Sequence, residues 1–197
     1  MSPTSDAADR VILRVLQESQ ARCGRPVYRT ALVKLVYLTD YIYAQHTGLT
    51  LTGFEYVWDN HGPNAVGNQI VKHAYLLKAP RGAIEIDQGL TPSGNPKYSY
   101  RIRDGATATP LADDLGDQIV GDVVATYGTL NWSGIVNASK ATPPVLRAKP
   151  GDRLDLTPDS TKQQRLARAK AMVTGREYDT TRPGTSISDL KARYGLN

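Results

Sequence analysis

The chain has 197 residues, of which 40% are hydrophobic and 22% are charged, and its formal net charge is +5. This composition is sufficient for one domain with an apolar core. No apolar run reaches the roughly 18–20 residues of a membrane span, and the first ten residues carry acids where a signal peptide carries cations. We therefore expect a cytoplasmic protein that does not enter a membrane. The single cysteine, Cys23, excludes an internal disulfide and a cysteine-based zinc site.

The positive charge is unevenly distributed along the chain. Eight of the 24 Lys and Arg residues lie in residues 160–197, together with three of the 19 Asp and Glu residues. The rest of the chain is therefore balanced, which argues against a generally basic nucleic-acid binder. We predict a domain over residues 1–159 and a separate basic helix and tail over residues 160–197.

Two helices are predicted in the first quarter of the chain. Apolar residues at helical spacing predict the first helix over residues 7–22. The second helix, over residues 30–46, is apolar on nearly every side, which is typical of a central, buried helix. Lys34 and Asp40 are its only Lys, Arg, Asp or Glu residues. Gly48 follows as a C-terminal stop.

A strand, a turn and a third helix are predicted next. Alternating aromatic side chains over residues 49–59 favour a strand. The His-Gly-Pro sequence at residues 61–63 is typical of a turn, and apolar residues at helical spacing predict a helix over residues 64–78.

The second half of the chain alternates in the same way between short elements. Residues 83–86 and 98–102 have the period-two pattern of a hairpin around a loop rich in Pro and Gly. We expect a mainly α, α+β fold: a compact domain of about five to six helices with a small antiparallel β element. The remaining predicted elements are a helix over residues 111–127, a short helix capped by Asn131, a chain break at residues 142–144, an extended piece over residues 151–156 and a basic helix over residues 161–172.

The usual signatures of catalysis are missing from the sequence. There is no G-x-S-x-G elbow, no phosphate-binding loop and no H-E-x-x-H pair. His46, His61 and His73 are the only histidines, and their spacing forms no H-x-H or H-x-x-x-H ligand pair. We expect a protein without enzymatic activity, metal or cofactor.

Two features allow both a structural and a functional interpretation. Asp40 lies in an apolar helix, either as a buried anchor for a tyrosine hydroxyl and the N–H groups of the following turn, or as an exposed contact for a partner. The eleven tyrosines, among them Tyr37 and Tyr41, indicate either a binding surface or packing at the edge of the core.

Residues 30–67 resemble the SocA-like, or Panacea-domain, antitoxin family. A K-L-x-Y-x-x-D helix is followed by a glycine, an aromatic extended segment, a His-preceded Gly-Pro and another helix. The chain departs from the family pattern at residues 140–145, which lack the expected His and Trp. The similarity covers roughly residues 8–156, and its matching residues include Lys34, Leu35, Tyr37, Asp40, Trp58, His61, Gly62 and Pro63.

The resemblance implies a compact, mainly helical domain with a small β element. It also implies an antitoxin that neutralises a cognate protein toxin by direct contact. The toxins paired with this family are diverse and include alarmone-synthetase-like and other translation-blocking types. One branch of the family acts as an adaptor that delivers its toxin to the ClpXP protease.

We therefore expect two kinds of site residue. Lys34, Leu35, Gly62 and Pro63 are expected to shape the scaffold. The basic tail favours an acidic protein surface, or alternatively nucleic acid through contacts with phosphates, or is a solvated helix. The residues expected to bind the partner are Tyr37, Asp40, Tyr41, Trp58 and His61 of the domain and Arg165, Arg168 and Tyr194 of the tail.

Overall fold

The computed structural model describes residues 3–78 and 82–158, which form a mainly α, α+β fold and so confirm the predicted class. No helix in these two ranges is long and apolar enough to cross a membrane. The helices of this part are α1 (Pro3–Cys23), α2 (Arg29–Thr47), α3 (Gln69–Leu77), α4 (Asp114–Tyr127), α5 (Trp132–Lys140) and α6 (Pro143–Arg147). Its strands are β1 (Val27–Tyr28), β2 (Tyr56–Asp59), β3 (Gly62–Ala65), β4 (Ile84–Leu90), β5 (Pro96–Ile102) and β6 (Arg153–Leu154).

Helix α2 lies at the centre of the domain, as its apolar surface predicted. It contacts α1, α3, α4 and α5 as well as strands of both sheets. Most of its residues are buried, including Leu32, Leu35 and Val36. The helix ends at Thr47 and is capped by Gly48, whose φ of 77° is left-handed and whose N–H donates to the carbonyl of Ala44.

Two small antiparallel sheets pack against the helices. The first has the strand order β1-β5-β4, and its β4–β5 hairpin pairs along its whole length from Ile84 opposite Ile102 to Leu90 opposite Pro96. The second has the order β3-β2-β6, in which β6 comes from the extended piece predicted over residues 151–156. A hydrogen bond from the Gly151 N–H to the Trp58 carbonyl continues this link beyond β6.

The prediction of a helix from residue 64 is wrong in its first five residues. Strand β3 occupies residues 62–65, a 3-10 turn follows over Val66–Asn68, and α3 begins at Gln69. Gly67 and Asn68 have φ values of 65° and 57°, which an α-helix does not allow. Asn64 and Ala65, which the apolar spacing assigned to the helix, pair instead with Val57 and Tyr56 of β2.

The proline pair after α5 also acts differently from the prediction. Pro143 and Pro144 do not only end the preceding helix, because they form the first turn of α6. The fixed φ of proline suits this position, and the N–H groups that it lacks would have no partner there. Helix α6 turns the chain back towards β6.

Substituting Gly62 should show how tightly the β2–β3 hairpin is held. Its φ is +87°, and an added Cβ would lie 3.1 Å from Cγ of Lys140. We expect Gly62→Ala to lower the free energy of unfolding by about 2 kcal/mol, combining backbone strain with crowding. Gly94→Ala is the matched control, because its φ is +79° and nothing lies within 4 Å of the new Cβ. Equal losses in urea unfolding of both variants would contradict the close packing of Gly62.

Candidate partner-binding surface

Asp40 is a buried anchor that ties α2 to the chain after it. Its carboxylate accepts hydrogen bonds from the Thr52 N–H at 2.9 Å, from the Thr52 hydroxyl and from the Tyr56 hydroxyl at 2.6 Å. The side chain is 0% exposed. The interpretation as a buried anchor is therefore confirmed, and the expectation that Asp40 contacts a partner is wrong for this fold.

Burial of the Asp40 carboxyl changes its pKa. Burial raises the pKa of this carboxyl from 3.8 to about 6, although the hydrogen bonds from Thr52 and Tyr56 act in the opposite direction. Removing a carboxylate from water favours its neutral form, and the three donors compensate only in part. The anchor therefore titrates just below neutral pH.

Tyr37 and Tyr41 also belong to the core rather than to a surface. Tyr37 is 0% exposed, and its hydroxyl shares a 2.6 Å hydrogen bond with the Thr142 hydroxyl. Its ring lies edge-on to Tyr56 with 5.1 Å between the centroids. Tyr41 is 7% exposed, and its ring is stacked with that of Tyr37, with 6.4 Å between the centroids. Direct contact of either tyrosine with a partner was therefore wrongly expected, because neighbouring elements cover both rings.

Lys34 forms a second buried link between α2 and the following hairpin. Its Nζ donates to the Pro63 carbonyl at 2.6 Å, and the side chain is 3% exposed. Burial lowers the pKa of this amine to about 8, while the nearby Asp59 carboxylate opposes that shift. Leu35 and Gly62 are buried as well, so all four residues expected to shape the scaffold lie inside it.

Two of the residues expected to bind a partner do reach the surface. Trp58 is half-buried in β2, and His61 is exposed at the tip of the β2–β3 hairpin. The His61 ring lies edge-on to Trp132, with 5.7 Å between the centroids. Trp132, which begins α5, is 57% exposed and extends this aromatic surface. Arg165, Arg168 and Tyr194 lie outside the described residues.

Trp132 also lines a large groove, which we call the α2 groove. It has a volume of about 880 Å³ and lies among the end of α1, the start of α2, the β4–β5 loop and the α4–α5 loop. Its apolar lining comes from several elements. The lining includes Val27, Ala31, Leu130 and Ile135 together with the aromatic residues Tyr28, Tyr98 and Trp132.

The charges that line the α2 groove are all positive. Arg25, Arg29 and Lys97 contribute to the lining, and no Asp or Glu among the described residues does. Lys97 places its Nζ 4.1 Å from the centroid of the Tyr28 ring, an arrangement that holds the cation at the groove. Arg25 donates from Nη2 to the Thr129 carbonyl at 3.1 Å.

The arrangement offers noncovalent binding by aromatic faces and cations. In the part of the chain that the structure describes, no group of three or more His, Cys, Asp and Glu residues is placed to hold a metal ion. Sequence patterns did not indicate the groove, because its residues come from four separate places along the chain. Local patterns indicated no binding role for Arg25 and Pro26, and they indicated Asn131 only as a cap for the helix that Trp132 begins.

Comparison with known proteins identifies no match to this chain. No protein-family model matches the chain, and neither a curated protein nor a solved structure matches it. Membership of the Panacea-domain family is therefore a proposal that rests on the motif residues.

The titration of Asp40 should appear in the stability of the protein. Because its native pKa of about 6 lies above the ordinary value of 3.8, the native state binds the extra proton between these values. Stability from this group is full below the unfolded pKa and is lost as the pH rises through the folded pKa. Relative to Asp40→Asn, the wild-type free energy of unfolding should fall by roughly 2 kcal/mol between about pH 4 and pH 7.

Urea unfolding of both proteins across this pH range measures the difference and cancels the titration of other groups. A constant difference would contradict the raised pKa of Asp40. A difference that grows with pH would show that the carboxylate, rather than the neutral acid, is favoured in the native state.

Proposed function

We propose that this chain is a cytoplasmic, non-enzymatic antitoxin that neutralises a cognate protein toxin by binding it directly. The α2 groove is the observation that carries this proposal. It combines exposed aromatic residues with three cations, and Trp, Tyr and Arg are enriched among the residues that dominate the binding energy of protein interfaces. The resemblance of residues 30–67 to the Panacea domain supports the same function.

The extent of the surface favours a protein partner over a small ligand. Trp132 lines the groove and its ring also contacts His61, so this side chain connects the groove with the tip of the β2–β3 hairpin. Large apolar side chains that remain accessible on such a surface are typical of interaction sites. Tyr28 at 43% and Trp132 at 57% exposure are accessible aromatic side chains of the groove lining.

Co-expression with the product of the neighbouring gene tests the proposal. The neighbouring protein should stop growth when expressed alone, and this chain should restore growth through a complex that can be purified. A neighbour that is not toxic, or a toxin that this chain neither binds nor neutralises, would overturn the antitoxin function. Comparing toxin levels with and without ClpXP separates neutralisation by binding from delivery to the protease.

Removing the Trp132 ring should weaken the complex without unfolding the domain. Trp132 is 57% exposed, and the N-cap hydrogen bond of α5 does not involve it, because Asn131 Oδ1 accepts that bond from the Gly134 N–H. We expect Trp132→Ala to weaken toxin binding about tenfold or more, measured by calorimetry. Leu146→Ala is the control, because Leu146 is 71% exposed on α6 and outside the groove. Equal affinities of the two variants for the toxin would show that Trp132 does not contribute to the interface.

A further inference from the structure

We infer that the α2 groove binds an acidic, extended segment of the partner protein, with a carboxylate of that segment at the start of α2. This inference rests on the proposed function and specifies the chemistry of its interface. Four observations support it: the uncapped start of α2, the buried Ser19 hydroxyl, the positive charge of the groove lining and the unpaired edge of β5.

The start of α2 is open to an anion. The first N–H groups of a helix have no intrahelical partner, and the helix dipole makes this end positive. Tyr28, at the N-cap, makes no side-chain capping bond, and the first turn contains no acidic residue. Arg29, Thr30 and Ala31 of this turn all line the groove. A carboxylate there would satisfy donors that the described chain leaves without a cap.

Ser19 of α1 provides a second and independent indication of a ligand. Ser19 lines the same groove but is only 2% exposed. Its hydroxyl has no hydrogen-bond partner in the part of the chain that the structure describes. Buried hydroxyls are normally hydrogen-bonded, so this one is suited to donate to a carboxylate or a carbonyl of a bound segment.

The lining charges select an acidic occupant. Arg25 of the α1–β1 loop, Arg29 of α2 and Lys97 of β5 all line the groove, and no described acidic residue does. Hydrogen bonds between such cations and carboxylates are stronger than those between neutral groups. A basic or neutral segment would leave these charges uncompensated, whereas an acidic segment neutralises them.

The sheet beside the groove favours an extended polypeptide over nucleic acid. Strand β1 pairs with β5 only at Ser99 and Tyr100, because the chain then enters α2. The same edge of β5 continues through Pro96, Lys97 and Tyr98, which have no strand partner on this side within the described ranges. These three residues line the groove. A peptide can extend the sheet at such an edge, where Pro96 can only accept through its carbonyl, and place alternate side chains against the apolar lining.

A short fluorescent peptide that alternates glutamate with leucine tests the groove directly, with the full chain and fluorescence anisotropy as the readout. Its twin with glutamine in place of glutamate removes only the charges. The glutamate peptide should bind at least about tenfold more tightly than its twin. An oligothymidylate of similar length should compete poorly. Equal binding of the two peptides, or preferred binding of the oligothymidylate, would overturn the inference.

Matched charge reversals distinguish the groove from the basic tail, which also attracts acidic peptides. Arg29→Glu combined with Lys97→Glu reverses two groove cations, whereas Lys72→Glu combined with Lys78→Glu reverses two exposed cations elsewhere. The groove variant should weaken binding of the glutamate peptide about tenfold or more, and the control variant by less than about twofold. Ser19→Ala should weaken it about threefold. Equal effects of the two double variants would overturn the inference.

The same variants with the toxin distinguish failure of the groove from failure of the proposed function. Loss of toxin binding and growth rescue in the groove variant alone would support both. Toxin binding that survives equally in both double variants would overturn the groove inference and leave the antitoxin function standing. If the wild-type chain binds no toxin, the proposed function fails and the peptide comparison alone decides whether the groove binds acidic segments.

Discussion

Two buried polar links from α2 determine how the rest of the domain is arranged. Lys34 donates a hydrogen bond to the Pro63 carbonyl, and Asp40 accepts hydrogen bonds from Thr52 and Tyr56. Buried charged groups are strongly unfavourable without partners, so a shift of the following segment would leave both groups uncompensated. The two links therefore select one position of the β2–β3 hairpin against α2, and that position brings His61 to Trp132.

The same links explain why the most distinctive residues of the sequence are not the binding surface. Burial moves the pKa of Lys34 down to about 8 and that of Asp40 up to about 6, so enclosure shifts both groups towards their neutral forms. Tyr37 and Tyr56 then fill the space next to Asp40 with aromatic rings. The residues of the K-L-x-Y-x-x-D pattern thus pack inside the domain, and residues outside the pattern form the surface available to a partner.

Local patterns were sufficient to predict most helices, the β4–β5 hairpin and the buried position of α2. They were insufficient at α3, because positive φ values at Gly67 and Asn68 leave no trace in apolar spacing. They were ambiguous for Tyr37, since the chemistry that suits tyrosine to an interface also suits it to a core. The α2 groove could not be predicted, because Arg25, Lys97 and Trp132 meet only after the chain has folded.

The fold and the proposed function meet at the start of α2. The helix that anchors the core also presents its uncapped first turn to the groove, beside exposed aromatic residues and cations. A partner segment bound there would contact the central, largely buried helix of the domain, whose packing limits the ordering that binding requires. The basic tail, whose charge also favours an acidic partner, would add attraction at longer range.

Hydrogen–deuterium exchange of the full chain with and without its toxin tests the central claim most directly. The account predicts slower exchange in the complex at the first turn of α2, at Lys97 and Tyr98 of β5 and at the start of α5, which together line the groove. Slower exchange confined to residues 160–197, with the groove unchanged, would contradict it.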